Sequence, residues 1–136
     1  RRKISGPLLD RIDLHVHVPR VPYEKLTGIE LGETSESVRE RVVVARARQA
    51  ERFSGRRILT NSEMSTREVK QFVELTDDAS ALIAQAVRQL KLSARVYIRI
   101  LKLARTIADL AAVDIVDVPM VAEALQYRPA LNEVTA

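Results

Sequence analysis

Ser93-Ala-Arg-Val-Tyr-Ile-Arg-Ile-Leu-Lys-Leu-Ala-Arg-Thr-Ile-Ala-Asp-Leu110 decides the fold. At about 100° per residue, Tyr97, Ile100, Leu101, Ala104, Ile107, Ala108 and Ala111 fall on one apolar arc. Arg95, Arg99, Lys102 and Thr106 share the opposite face, with Asp109 at its margin. This is an amphipathic helix with one side to bury. Ser93 is an N-cap, because its side-chain oxygen can accept from a free backbone N–H of the first turn. The first charged residue is Arg95, two positions past the cap. A helix N-terminus is already positive and favours acidic side chains. A cation there gains if an anion sits opposite, since helix N-termini and guanidinium groups both bind phosphate. An ordinary solvated arginine is the competing reading. Solvation also suffices for Arg99 and Lys102. Arg105 lies at the edge of the arc, where its stem can pack and its head can reach an acidic residue.

Helical signals extend outward in both directions. Ser37-Val-Arg-Glu40 fits a capping box, with Thr34 and Ser35 as other possible caps. The first helix then runs through Phe53, with Val38, Val42, Ala45 and Phe53 near one stripe, and Ser54-Gly55 stops it. Ser65-Thr-Arg-Glu68 is a second capping box, opening a short helix to about Val73. Thr76-Asp-Asp78 caps a third, with Ala79, Leu82, Ile83, Ala86, Val87 and Leu90 on its apolar side. Asp117 caps a last helix from Val118 to about Tyr127, burying Val118, Val121, Ala122 and Leu125. Residues 35–128 thus form a bundle of four or five helices with short connections. The remaining expected boundaries are a first piece at 1–22, a linker at 23–34 and a disordered tail at 129–136.

Residues Ser5 to Asp13 suit a short turn-and-helix piece, with Pro7 in a first helical turn. Ile12-Asp-Leu-His-Val-His-Val18 alternates apolar and polar residues, the period of a strand. Pro19 and Pro22 end it. A lone strand has no stability of its own, so it belongs to a sheet completed outside this chain, or it is mobile. The opening Arg1-Arg-Lys-Ile-Ser-Gly-Pro lacks Met, and the chain is expected to be a piece of a longer protein.

Composition agrees with helices packed on helices. Of 136 residues, 46% are apolar but only 4% aromatic, and Trp is absent, so aliphatic side chains and alanine must fill the core. There is no Cys, which excludes disulfides, thiolate metal sites and a Cys nucleophile. A reducing, cytoplasmic setting fits. No apolar stretch approaches the roughly 20 residues that span a bilayer, so no membrane role is expected. The net charge of +4 permits contact with nucleic acid without requiring it. The arginines of residues 35–53 could form a nucleic-acid stripe, but Glu36, Glu40 and Glu51 lie among them, and a solvated face explains them better. His15 and His17 share one face of the expected strand, yet no nearby third ligand completes a metal site. Arg11 lies between Asp10 and Asp13, where a local ion pair accounts for it. No phosphate-cradling glycine loop and no catalytic triad is present.

Two stretches together resemble a known family. Ile4-Ser-Gly-Pro-Leu-Leu-Asp-Arg-Ile-Asp-Leu-His-Val-His-Val-Pro19 resembles the end of the ATPase core of magnesium-chelatase-like AAA+ proteins, nearest the competence protein ComM group. Ser93 to Leu110 resembles their lid helix, and Val121-Ala-Glu-Ala-Leu-Gln-Tyr-Arg128 their closing helix. The fold implied is mainly α: a helical-bundle AAA+ lid, preceded by a helix turn and strand left from the α/β core. In the related minichromosome maintenance helicases, the arginine of a Leu-Leu-x-Arg-Phe-Asp run is an arginine finger. Arg11 matches it, with Ile12 replacing the aromatic residue. The family's sensor-2 arginine opens a lid helix in a Ser/Thr-x-Arg run, which Arg95 matches. The resemblance implies that Arg95 contacts a phosphate of ATP and that Arg11 reaches the ATP of a neighbouring subunit in a ring oligomer, a hexamer. It places the segments that bind ATP and Mg²⁺ upstream of Arg1, leaving this piece inactive by itself. It also implies a DNA-remodelling motor, with a tetrapyrrole magnesium chelatase subunit as the alternative within the family. Outside the family, the rivals are a non-enzymatic nucleic-acid-binding bundle and a protein-interaction bundle.

Overall fold

The computed structural model describes Leu8, residues 11–20 and residues 32–128. Five α-helices fill this region: α1 (Ser35–Arg52), α2 (Thr66–Phe72), α3 (Asp77–Gln89), α4 (Ala94–Leu110) and α5 (Val118–Gln126). A 3-10 turn, Asn61–Glu63, separates α1 from α2. The fold is mainly α, as the sequence predicts.

Local chemistry sets most boundaries. Ser65 accepts from the Glu68 amide while the Glu68 carboxylate returns to the Ser65 amide at 2.7 Å, a reciprocal cap. Thr76 caps α3 and Ser93 caps α4, each accepting from the amide three residues on. Asp117 caps α5 and also accepts from the Thr76 hydroxyl at 2.8 Å, so two caps are tied together. Thr34, not Ser37, caps α1. Ser93→Ala is expected to cost about 1 kcal/mol, read as a lowered midpoint in thermal unfolding.

Helix α4 is the axis of the bundle. It packs against α1, the 3-10 turn, α2 and α5, and α3 packs on α5. Ile100, Ala104 and Ala108 of α4 meet Val121 and Ala124 of α5 in one core, all shielded completely from solvent. Small residues on both faces keep such helices within the usual 8–10 Å of each other. Phe53 closes one end of the core, edge-on to Phe72 with ring centroids 5.6 Å apart. A single parallel bridge between Leu75 and Val116 fastens the segment before α3 to the segment before α5.

Helix α4 ends in a turn that matters for the site. Ala112 has a left-handed φ of 57°, the Val113 amide donates to the Ala108 carbonyl and the Ala112 amide to Asp109. This is the Schellman arrangement, here made with alanine where glycine is usual. It folds the Val113 and Asp114 carbonyls back towards the last turns of α4.

Several expectations need correction. Ile12–Val18 is neither helix nor strand, with a bend at Asp13, and no described residue pairs with it. Its backbone bonds to the helical bundle instead: the His15 amide donates to the Tyr127 carbonyl at 2.9 Å. Period-two alternation suggests a strand, but without a neighbouring strand there is no ladder. Val38 and Val42 are exposed rather than core, as are Leu90 and Ala111. Of the expected α1 stripe, only Ala45 and Phe53 are buried. Of the α5 set, Val121 is buried and Val118, Ala122 and Leu125 are half-buried, while Ala124 joins the core unforeseen. Residues 1–7, 9–10, 21–31 and 129–136 lie outside the described residues, and with them most of the expected turn at Ser5–Asp13, most of the expected linker 23–34 and the whole tail 129–136.

Candidate functional site

Arg95 occupies the second position of α4, where its backbone amide belongs to the free donors of the first turn. Its side chain is exposed and makes no hydrogen bond or ion pair with the described residues. One turn further on, Arg99 is differently placed. Its Nη1 donates to the Arg11 carbonyl at 2.7 Å and also to the Asp13 carboxylate. Arg128, beyond α5, donates to the Ile12 carbonyl at 2.9 Å. With the His15–Tyr127 bond, these contacts lay residues 11–15 across the bundle beside the start of α4. The side chain of Arg11 stays exposed and, among the described residues, unpartnered. The Arg11 backbone thus lies one turn of α4 away from Arg95, and neither arginine side chain has a partner among the described residues. The ion pair expected locally for Arg11 is not made by Asp13, which engages Arg99 instead.

A hollow of about 160 Å³ lies between Asp13, Leu14, Arg99 and Lys102. Lys102 donates to the Ser62 carbonyl at 2.8 Å, so it is not simply solvated. Its burial, and then the Arg99 charge, push its pKa below the usual lysine value, opposed by Asp13 and Glu68. No group of three or more His, Cys, Asp or Glu among the described residues is placed to hold a metal ion. His15 is half-buried and His17 exposed.

Behind this surface is a buried polar cluster. Asp109 is 0% exposed and Arg105 1%. The Arg105 Nε donates to Asp109 at 3.2 Å and its Nη2 to the Val113 carbonyl at 2.5 Å, with Nη1 on the Asp114 carbonyl. Arg52, reaching across from α1, grips both carboxylate oxygens of Asp109 at 2.8 and 2.5 Å. Asn61 adds an N–H at 2.8 Å, and Arg52 also donates to the Asn61 oxygen at 2.9 Å. Arg48 pairs with Asp114 and holds its Nε 3.9 Å from Asp109. One carboxylate therefore joins α1, the 3-10 turn and α4. Arg105 reaches an acidic partner as the sequence predicts, whereas the solvated reading of Arg48 and Arg52 fails.

Desolvation pushes the Asp109 carboxyl up, but the Arg52 and Asn61 hydrogen bonds and the Arg105 and Arg52 charges outweigh it and hold its pKa below the ordinary value. A carboxyl depressed in the native state binds fewer protons than its unfolded counterpart, so stability rises with pH across that window. The contribution is fully present above the unfolded carboxyl range, about 3.9, and is lost as pH falls through the native pKa. Glu33, Glu63, Glu68 and Asp117 are also held low by hydrogen bonds. Comparison with Asp109→Asn isolates the share of Asp109. Stability between about pH 5 and pH 2 should fall less steeply in the variant, measured by urea midpoints.

A capped amphipathic helix packed as the axis of a small helical bundle is consistent with a helical lid domain. Residues 32–128 match the family model of the magnesium chelatase subunit ChlI C-terminal domain, and the chain belongs to that family. It is 42% identical over 128 residues to competence protein ComM of Haemophilus influenzae, covering 93% of this chain and 24% of that protein. It is 36% identical over 127 residues to the uncharacterized protein YifB of Escherichia coli, again covering 93% of this chain and 24% of that protein. The chain thus spans about a quarter of the length of these relatives.

Proposed function

We propose that this domain is the lid of an AAA+ ATPase, with Arg95 as the sensor-2 contact to an ATP phosphate and Arg11 as an arginine finger reaching the ATP of a neighbouring subunit. The observation that carries this reading is an exposed Arg95, without a partner among the described residues, in the first turn of the helix that resembles the family's lid helix. Arg99, Arg105, Arg48 and Arg52 are all engaged by carboxylates, yet Arg95 has no partner among the described residues. A cation at a helix N-terminus gives up about 0.3–1 kcal/mol against the macrodipole. A phosphate placed there would meet both the guanidinium and the free amides of the first turn. The exposed guanidinium therefore fits a nucleotide phosphate. When bound, ATP with Mg²⁺ supplies the transferable phosphoryl group, and Arg95 and Arg11 provide positive charge around it.

The assembly that follows is a ring, a hexamer, because a finger that completes a neighbour's site needs a neighbour. A relative named as a competence protein favours a DNA-remodelling motor in the cytoplasm over tetrapyrrole chelation. No helix among the described residues is long and apolar enough to cross a membrane. A separate nucleic-acid-binding role is less well supported, since Arg48 and Arg52 turn inward and Arg41 pairs with Glu33 at 2.8 Å. In the full-length protein, Arg95→Ala is expected to lower steady-state ATPase kcat by about 10²–10³-fold, the loss seen when one transition-state donor is removed. Activity equal to wild type would remove Arg95 from the phosphate.

A further inference from the structure

We infer that Arg99 is a positioning residue that fixes the backbone of Arg11 against the first turns of α4, so that Arg11 and Arg95 are presented as one preset pair. The inference rests on the proposed roles of those two arginines in ATP hydrolysis. Residues 12–18 have neither helix nor sheet ladder to hold them. Such a run keeps a fixed place only through contacts with the bundle. Arg99 supplies two of them from one nitrogen, to the Arg11 carbonyl at 2.7 Å and to the Asp13 carboxylate. The first grips the very residue whose side chain is free, and the second grips the chain two residues on. Arg128 holds the Ile12 carbonyl between them at 2.9 Å. Arg99 stands four residues after Arg95, so it lies on the same face of α4 one turn away. Any movement of α4 is thus passed directly to the Arg11 backbone.

Arg99 is only partly exposed, at 21% of its side chain, and its Nη1 is already committed twice. It is placed to hold protein rather than phosphate. A 1 Å misplacement of a group in a reacting site costs about 10²-fold in rate. A shorter side chain at residue 99 would release the Arg11 carbonyl and the Asp13 carboxylate.

The test is steady-state ATPase of the full-length protein carrying Arg99→Ala, Arg11→Ala and both together, with Asp13→Asn as a second variant that leaves α4 untouched. Arg99→Ala is expected to lower kcat by about 10²-fold with little change in KM for ATP, and Arg99→Lys to restore part of it. The double variant should be no slower than Arg11→Ala alone, because Arg99 acts through Arg11. Asp13→Asn should slow the wild-type background and have no effect in the Arg11→Ala background. If Arg11→Ala is impaired but Arg99→Ala and Asp13→Asn match wild type, or the double variant falls by the product of the two single losses, the positioning role is overturned while the finger stands. If Arg11→Ala itself matches wild type, the finger reading fails, and the positioning role with it.

Discussion

Asp109→Ala is expected to destabilise the domain by about 3–5 kcal/mol, the cost of removing one partner from a buried ion cluster. Three arginines converge on this carboxylate from two helices, and Asp109 and Arg105 are both shut off from solvent. Without Asp109, the Arg105 guanidinium keeps the Val113 and Asp114 carbonyls but loses its charge partner. Arg52 keeps only the Asn61 oxygen and its contact over the Phe53 ring, 5.9 Å from the centroid. For a domain near 100 residues, each kcal/mol moves the unfolding midpoint by roughly 4–8 °C. The variant should therefore melt well over 10 °C below wild type, or fail to fold at 37 °C. Arg41→Ala, which breaks the exposed pair with Glu33, provides the contrast and should leave the midpoint nearly unchanged. Equal midpoints for Asp109→Ala and wild type would mean that the cluster holds nothing together.

Arg11→Ala in the full-length protein is expected to reduce ATPase kcat by about 10³-fold or more, the range set by arginine fingers. Its folding cost should be small. The side chain is exposed and, among the described residues, bonds to nothing, while the backbone contacts through its carbonyl survive truncation at Cβ. Loss of activity with an unchanged melting midpoint is thus the expected signature. A matched loss of stability would point to an ordinary structural arginine. Arg11→Lys should remain deeply impaired, because an ammonium cannot reproduce the planar fork of a guanidinium on phosphate oxygens.

The helices were legible because their signals are local. Ser65 with Glu68, Thr76, Ser93 and Asp117 each announce a helix start through a side chain that accepts from a first-turn amide, three residues ahead for the hydroxyls and one for Asp117. The apolar arc of α4 is likewise carried by spacing alone. Asp109 was not legible. On the helical wheel it sits at the edge of the polar face, and its burial depends on Arg52 and Asn61, 57 and 48 residues away. The only nearby sign was Arg105, four residues before it. Arg48 and Arg52 were read as solvated for the same reason, since nothing within α1 reveals what lies across from them. Val38, Val42 and their neighbours Val43 and Val44 are exposed, so a run of valines misled where tertiary packing decides. In Ile12–Val18, alternation suggests a strand, whereas the segment is neither helix nor strand. Whether such a chain joins a sheet or lies along a bundle depends on what accepts its backbone bonds. Here the Tyr127 carbonyl accepts from the His15 amide, while the Arg99 and Arg128 side chains donate to the Arg11 and Ile12 carbonyls.

The candidate site was half legible. Arg95 is marked by its place two residues after a cap, and Arg11 by resemblance rather than by any local pattern. The hold of Arg99 on Arg11 spans 88 residues and could come only from the fold.

The most direct measurement is a subunit-mixing ATPase assay on the full-length protein. Arg11→Ala protein is mixed with full-length protein inactivated in its proposed ATP-binding segment, each expected to be nearly inactive alone. Activity recovered in the mixture is the expected result, because a ring places an intact Arg11 from one subunit beside an intact nucleotide site in its neighbour. A mixture no more active than its components, under conditions where wild type forms rings, would contradict a finger acting between subunits.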